Sequence, residues 1–194
     1  MKAFLQRSGL SHLRHVAVFL SILFGFHLVY TLLIDKETLM IPGLEGLYLY
    51  LRHLLFVHSA WVAEHILGMT FTTGEFALRF EGHGALLVDE SCSAVKWFAH
   101  FLVLMLIFPG PWKHKLWFIP AGIVVTHVVN IIRITGLAVV FVNRPDAFEF
   151  YHDWIFRPFF YLVLFLMWVL WVEKFYLARK TDERKRINQE GSGL

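Results

Sequence analysis

Cys92 is the sole cysteine of the 194-residue chain and stands in ESCSAVKW, residues 90–97. A thiol can pack as a small apolar side chain or act as a nucleophile. The setting of Cys92 favours the second use. Ser91 is a good helix N-cap and puts Cys92 in a first helical turn, where unpaired backbone amides stabilise a thiolate. Asp89 and Glu90 act the other way, so a working thiolate there needs a cation near it. Arg133 can be that cation. It lies inside the apolar run Ile119–Val142, in HVVNIIRITG. An arginine at membrane depth costs about 2.5–3.5 kcal/mol on insertion scales and faces a bundle interior or a wet cavity. Asn130, three residues earlier, shares its helix face and can orient the guanidinium or donate to a developing oxyanion. His152, in FYHDWIFRP, can take a proton from a thiol and return it to a leaving amine. Asp153 or Glu149 can orient that imidazole. Lys96, one turn past Cys92, can support the thiolate or bind a substrate carboxylate.

These residues need a frame, and composition names its solvent. The chain is 57% hydrophobic and 17% charged, with 20 Phe and 7 Trp. Soluble domains are about 45–50% apolar and about 25% charged, so an integral membrane protein is expected. A single cysteine forms no internal disulfide and leaves the redox compartment open. The net charge of +3 comes mostly from the ends. Basic ends on a membrane protein mark the cytoplasmic face, and no nucleic acid is expected as a partner.

Four segments have the apolar length to cross, roughly 15–34, 92–109, 116–142 and 156–173. The first follows Lys2, Arg7 and Arg14 without a small-residue cleavage site, and reads as a retained span rather than a signal peptide. Lysines and arginines at the N-terminus, in the turn around Lys113 and Lys115, and in the tail beyond residue 178 place those parts in the cytoplasm. The stretches 35–91 and 143–155 are mostly acidic and fall outside. Cys92, Arg133 and His152 then converge toward the outer leaflet. Residues 44–67 read as a helix at the outer interface or packed on the bundle, with Glu45, Arg52 and Ser59 on one stripe. A re-entrant hairpin satisfies the same parity. Residues 75–81 alternate as a half-buried strand, Gly82-His83-Gly84 turns, and 85–88 returns. This extracytoplasmic β-hairpin would deliver Asp89–Cys92 to the second span. The expected fold is thus an all-α integral membrane protein with four core transmembrane helices, one interfacial or re-entrant helix and a small hairpin. Residues 1–178 form one membrane-embedded domain, and 179–194 a basic cytoplasmic tail.

Glu90-x-Cys92-Ser93-Ala94 at a helix start, Asn130-x-x-Arg133 in the next apolar span and His152 before the last resemble the exosortase/archaeosortase family of membrane cysteine transpeptidases. The resemblance covers about residues 75–175. It implies substrates that are secreted proteins ending in a sorting signal: a short motif, a transmembrane helix and a basic cluster. It implies cleavage at the extracytoplasmic side of the cell membrane and transfer to a cell-surface acceptor. Cys92, Arg133 and His152 carry over as nucleophile, transition-state stabiliser and general base or acid. Glu90, Ser93, Lys96, Asn130 and Asp153 become supporting or substrate-binding residues. Neither cofactor nor metal is expected. The target motif and the acceptor are not encoded visibly. The apolar tail of the substrate should reach the thiol laterally, through the lipid.

Two other classes compete. A haem- or metal-binding membrane protein would use its histidines, and His100 and His127 in neighbouring spans are the pair to watch. A non-catalytic membrane assembly factor would tolerate loss of Cys92. His12, His53, His58, His65, His83 and His114 are assigned to surfaces or interfaces.

Overall fold

Apolar residues persist through residues 112–143, and that stretch is the spine of the molecule, a single helix of 32 residues. At 1.5 Å per residue it is about 48 Å long, well beyond the ~30 Å hydrocarbon thickness of a bilayer. The structure, a computed structural model, describes residues 16–29, 32, 45–88, 95–177 and 189, with only the backbone of 95–97. In chain order the elements are α1 (Val16–Val29), α2 (Glu45–His65), β1 (Thr72–Gly74), β2 (Ala77–Phe80), β3 (Gly84–Leu87), α3 (Val95–Ile107), α4 (Trp112–Asn143) and α5 (Pro145–Leu177). The last is a run of helical segments, with α-helix over Arg157–Trp171 and wide π turns over Tyr151–Phe156 and Val172–Leu177.

Each expected apolar segment contains a helix, the second ending at Ile107 rather than at 109. Among the described residues, α4 and α5 are long and apolar enough to cross a membrane, while α1 and α3 supply shorter apolar helices. The fourth segment was expected to begin at 156, with His152 ahead of it. Instead the helix starts at Pro145 and His152 lies within it. The reason is Pro158, which has no N–H to give the preceding turn. The wide turn over 151–156 takes up that defect rather than ending the helix.

The hairpin is also larger than expected. β2 and β3 pair antiparallel, with Ala77 opposite Leu87 and Phe80 opposite Gly84, but β1 adds a third strand on the other side of β2. Glu75 and Phe76, read as strand, form the β1–β2 turn, where Phe76 has φ +53°.

Two cores result. In the bundle, Phe19 and Leu23 of α1, Phe101, Leu104 and Met105 of α3, Phe118 and Val129 of α4, and Phe160, Leu164, Trp168 and Trp171 of α5 are buried together. Gly122 lets α3 and α4 touch, since a Cβ there would collide with the Phe101 ring. The second core joins Leu55 and Phe56 of α2 and Leu78, Phe80, Leu86 and Val88 of the sheet to Ile134 and Ala138 of α4. So 44–67 is a helix packed on the bundle and the sheet, one of the placements open from sequence. Lys115 is buried at the tight α3–α4 turn. Its Nζ donates to the Leu106 and Phe108 carbonyls at 3.2 and 2.8 Å, closing the orphan C-terminal carbonyls of α3.

Candidate active site

Arg133 stands where the two cores meet, between Val129 of the bundle core and Ile134 of the outer one. It is only 3% exposed, and Asn130, on the same face one turn earlier, is fully buried. Arg133 is 21 residues from the first residue of α4, so about 32 Å along its axis. The close approach of α5 has a local cause in Gly136. A Cβ there would collide with the Phe156 ring, so only glycine lets the wide turn of α5 lie against α4 beside Arg133.

That contact creates a chain of polar side chains. Arg133 Nη2 lies 2.9 Å from His152 Nε2, and His152 Nδ1 lies 2.7 Å from Asp153 Oδ1. The same Asp153 oxygen is 3.0 Å from Arg157 Nη2. A guanidinium only donates, so Nε2 accepts from Arg133 and the ring hydrogen sits on Nδ1, donated to the carboxylate. A protonated ring would have no lone pair for Arg133. The imidazole is thereby oriented, with Nε2 turned toward the buried arginine. Asp153 fixes that tautomer as the third group of a nucleophile–base–orienter system does. Phe148 stacks on the ring, with planes 13° apart and centroids at 6.1 Å.

Of the residues singled out from sequence, Arg133, Asn130, His152 and Asp153 are gathered at this seam. Cys92, Glu90 and Ser93, and the side chain of Lys96, lie outside the described residues, as do His12 and the tail from residue 179, apart from residue 189. On the N-terminal side of Cys92 the described residues end at Val88, which is 1% exposed in the outer core that also holds Ile134. Glu149 joins His152 and Asp153 in a group whose ligand atoms fall within 4.8 Å. There the Asp153 oxygen is already shared by His152 and Arg157, and the Arg133 cation faces the other ring nitrogen. This wiring suits proton handling better than a cation.

The histidine pair named for haem does not form. His100, buried in α3, packs against His27 of α1 with ring centroids 5.6 Å apart. His127 instead meets His58 of α2, Nε2 to Nδ1, at 2.9 Å. A metal between two imidazoles at about 2.0–2.1 Å from each would hold the nitrogens at least about 3.3 Å apart even in a tetrahedral site, so this is a hydrogen bond. His53, His58, His65, His83 and His114 are exposed, as expected. Sequence reasoning missed Gly136, Phe148 and Arg157 as builders of the site. The i, i+4 spacing of Asp153 and Arg157 was the available signal for the last.

Compared with known proteins, the chain matches the family described as transmembrane exosortase (Exosortase_EpsH) over residues 9–169. No curated protein and no solved structure matches it.

Proposed function

Because the chain belongs to the transmembrane exosortase family, we propose that it is a membrane-embedded cysteine transpeptidase acting on secreted proteins with a C-terminal sorting signal. The observation that carries this is the Arg133–His152–Asp153 chain at the seam of the two cores. A buried cation beside an oriented imidazole is what thiol acyl transfer requires, and a scaffold has no need of it.

The proposed chemistry runs through Cys92. As Arg133 Nη2 turns from His152 to the scissile carbonyl oxygen, the freed Nε2 takes the thiol proton, and the sulfur attacks the scissile carbonyl of the sorting motif. Arg133, with Asn130, donates to the oxyanion as it forms. Collapse expels the amine of the tail, which receives the proton from His152, and leaves a thioester on Cys92. A nucleophile of the cell-surface acceptor then displaces the sulfur and regenerates the thiol. Glu90, Ser93 and Lys96 are assigned to binding and support around the thiol.

The proposed topology has four spans, formed around α1, α3, α4 and α5, with both termini in the cytoplasm. With Trp112 at the inner surface, a bilayer ~30 Å thick is crossed within about 20 residues of α4, which brings Arg133 to the outer boundary of the hydrocarbon. α2 and the sheet then stand on the outer side, and the substrate helix reaches the site from the lipid. A peptide lacking the apolar tail should react poorly, and equal reactivity would contradict the lateral route.

The test is processing of a candidate tailed substrate in cells carrying Cys92→Ala at matched enzyme level. Processing should stop while the variant still inserts. Unchanged processing would make Cys92 a packing residue and return the assembly-factor reading to the front.

A further inference from the structure

Two carboxylates stand within reach of one imidazole. One oxygen of Glu149, one of Asp153 and a ring nitrogen of His152 lie within 4.8 Å of one another. The sequence leaves the orienting partner of His152 open between the two acids, since Glu149 precedes it by about one helical turn and Asp153 follows it directly. In the structure the ring N–H goes to Asp153, with Nδ1 2.7 Å from Oδ1. The choice has a consequence at the far side of the ring. Nε2 lies 2.9 Å from Arg133 Nη2, and the two nitrogens of a rigid ring move together. A ring that swung its N–H to Glu149 would carry Nε2 away from the buried arginine. Nothing in the two acids themselves favours Asp153, whose side chain is 42% exposed and open to water. What separates them is Arg157. Its Nη2 lies 3.0 Å from Asp153 Oδ1, the same oxygen that receives the His152 N–H. Among the described residues no cation pairs with Glu149. Carboxylates this close repel, and a cation on one of them relieves the repulsion and fixes that one in place.

We propose that Arg157 is a positioning residue that makes Asp153, rather than Glu149, the orienter of His152. Its guanidinium holds Oδ1 at the ring N–H, and the ring then keeps Nε2 on Arg133. Arg157 acts through Asp153 and takes no part in proton transfer. This rests on the reading of His152 as the general base of a transpeptidase. With half of its side chain exposed, Arg157 forms an ion pair that adds little to stability, so its loss should appear in the geometry of the site and not in the fold.

Three variants separate this role from a plain surface ion pair. Arg157→Lys keeps a cation for Asp153. Arg157→Met removes it. Arg157→Met combined with Glu149→Gln removes the cation and the competing carboxylate together. The first readout is the ring N–H resonance of His152 in the isotope-labelled full chain in lipid nanodiscs, identified by its absence from His152→Gln. A ring N–H held by a carboxylate resonates far downfield. The second readout is processing of a tailed secreted reporter at matched membrane levels, and the third is the melting temperature. Arg157→Lys should keep the downfield resonance and process within threefold of the natural chain. Arg157→Met should lose or broaden the resonance and process at least fivefold more slowly, with melting within a few degrees. The double variant should regain the resonance and return processing to within threefold. An unchanged resonance in Arg157→Met would overturn the proposal. So would a loss that the second substitution does not restore, or one that follows a collapse in melting temperature. The resonance needs neither Cys92 nor a substrate. Full processing by Cys92→Ala would therefore mark failure of the transpeptidase reading, and the resonance would then decide this proposal alone.

Discussion

The bundle core and the outer core share one helix and differ in almost everything else. The bundle core is a stack of large rings: Phe19 lies 4.6 Å from Trp168, Phe118 5.1 Å from Trp171, and Phe108 5.6 Å from Trp168. The outer core, from α2, the sheet and the end of α4, holds no tryptophan among its described residues and mixes Phe56 and Phe80 with Leu, Ile, Val and Ala. In lipid, apolar side chains gain little by leaving the solvent, so close packing has to hold the helices together. Interlocking rings and glycines that admit them supply it. In the proposed topology the outer core faces water, where burial itself drives association. The catalytic candidates sit where one regime hands over to the other. A polar chain there can be dry on its bundle side and within reach of a water-borne acceptor on the other.

Substitutions can break or sharpen this contrast. Phe80→Ala in the outer core should lose the transfer energy of the ring as well as leave a cavity, about 3–5 kcal/mol. Phe160→Ala in the bundle should cost clearly less, since lipid solvates the lost contacts in the unfolded reference. Chemical denaturation in bicelles compares the two, and a larger loss for Phe160→Ala would reverse the assignment of solvents. Next come two glycines on one helix. Gly122→Ala drives a methyl group into the Phe101 ring and Gly136→Ala into the Phe156 ring. Overpacking of this kind costs about 1–3 kcal/mol. Gly122→Ala should spend it as a lower melting temperature with activity per folded molecule kept. Gly136→Ala should push the wide turn and His152 away from Arg133, losing at least tenfold in processing for a small change in melting. The smallest effect is expected for Lys115→Met, which keeps the apolar stem and removes two donors to the α3 carbonyls. It should destabilise by about 1 kcal/mol, read by the same denaturation, and leave processing intact.

How far the sequence foretold these regions also differs. In the bundle, helical period and hydropathy were enough, because a 3.6-residue repeat of apolar side chains has one good solution in lipid. Asn130 and Arg133 were placed on one face by their spacing alone. The outer region resisted. β1 is three residues of Thr-Thr-Gly with no apolar signal, and it exists because β2 offers an edge to pair. The Phe76 conformation depends on α2 packing, which no local propensity encodes. His152 was put outside its helix, because Pro158 reads as a helix start when its missing N–H is in fact absorbed by a π turn. Lys115 was read as loop charge marking the cytoplasmic side, and is a buried cap. Arg52 and Ser59 were read as one polar stripe. Ser59 is fully buried, whereas Arg52 binds a carbonyl 36 residues away, a contact that only the folded chain reveals.

The direct measurement on the seam is processing of a tailed substrate by His152→Gln and Arg133→Lys, at matched membrane levels and with Cys92→Ala as the zero. Gln preserves polarity without a basic nitrogen, and Lys preserves charge without the planar fork that reaches His152. Each should lose at least about a hundredfold in rate, in line with removal of a general base or an oxyanion donor, while melting temperatures stay close to that of the natural chain. Processing by both variants at the natural rate would show that the Arg133–His152–Asp153 chain is a structural tie, and that the chemistry, if Cys92 performs any, is organised elsewhere.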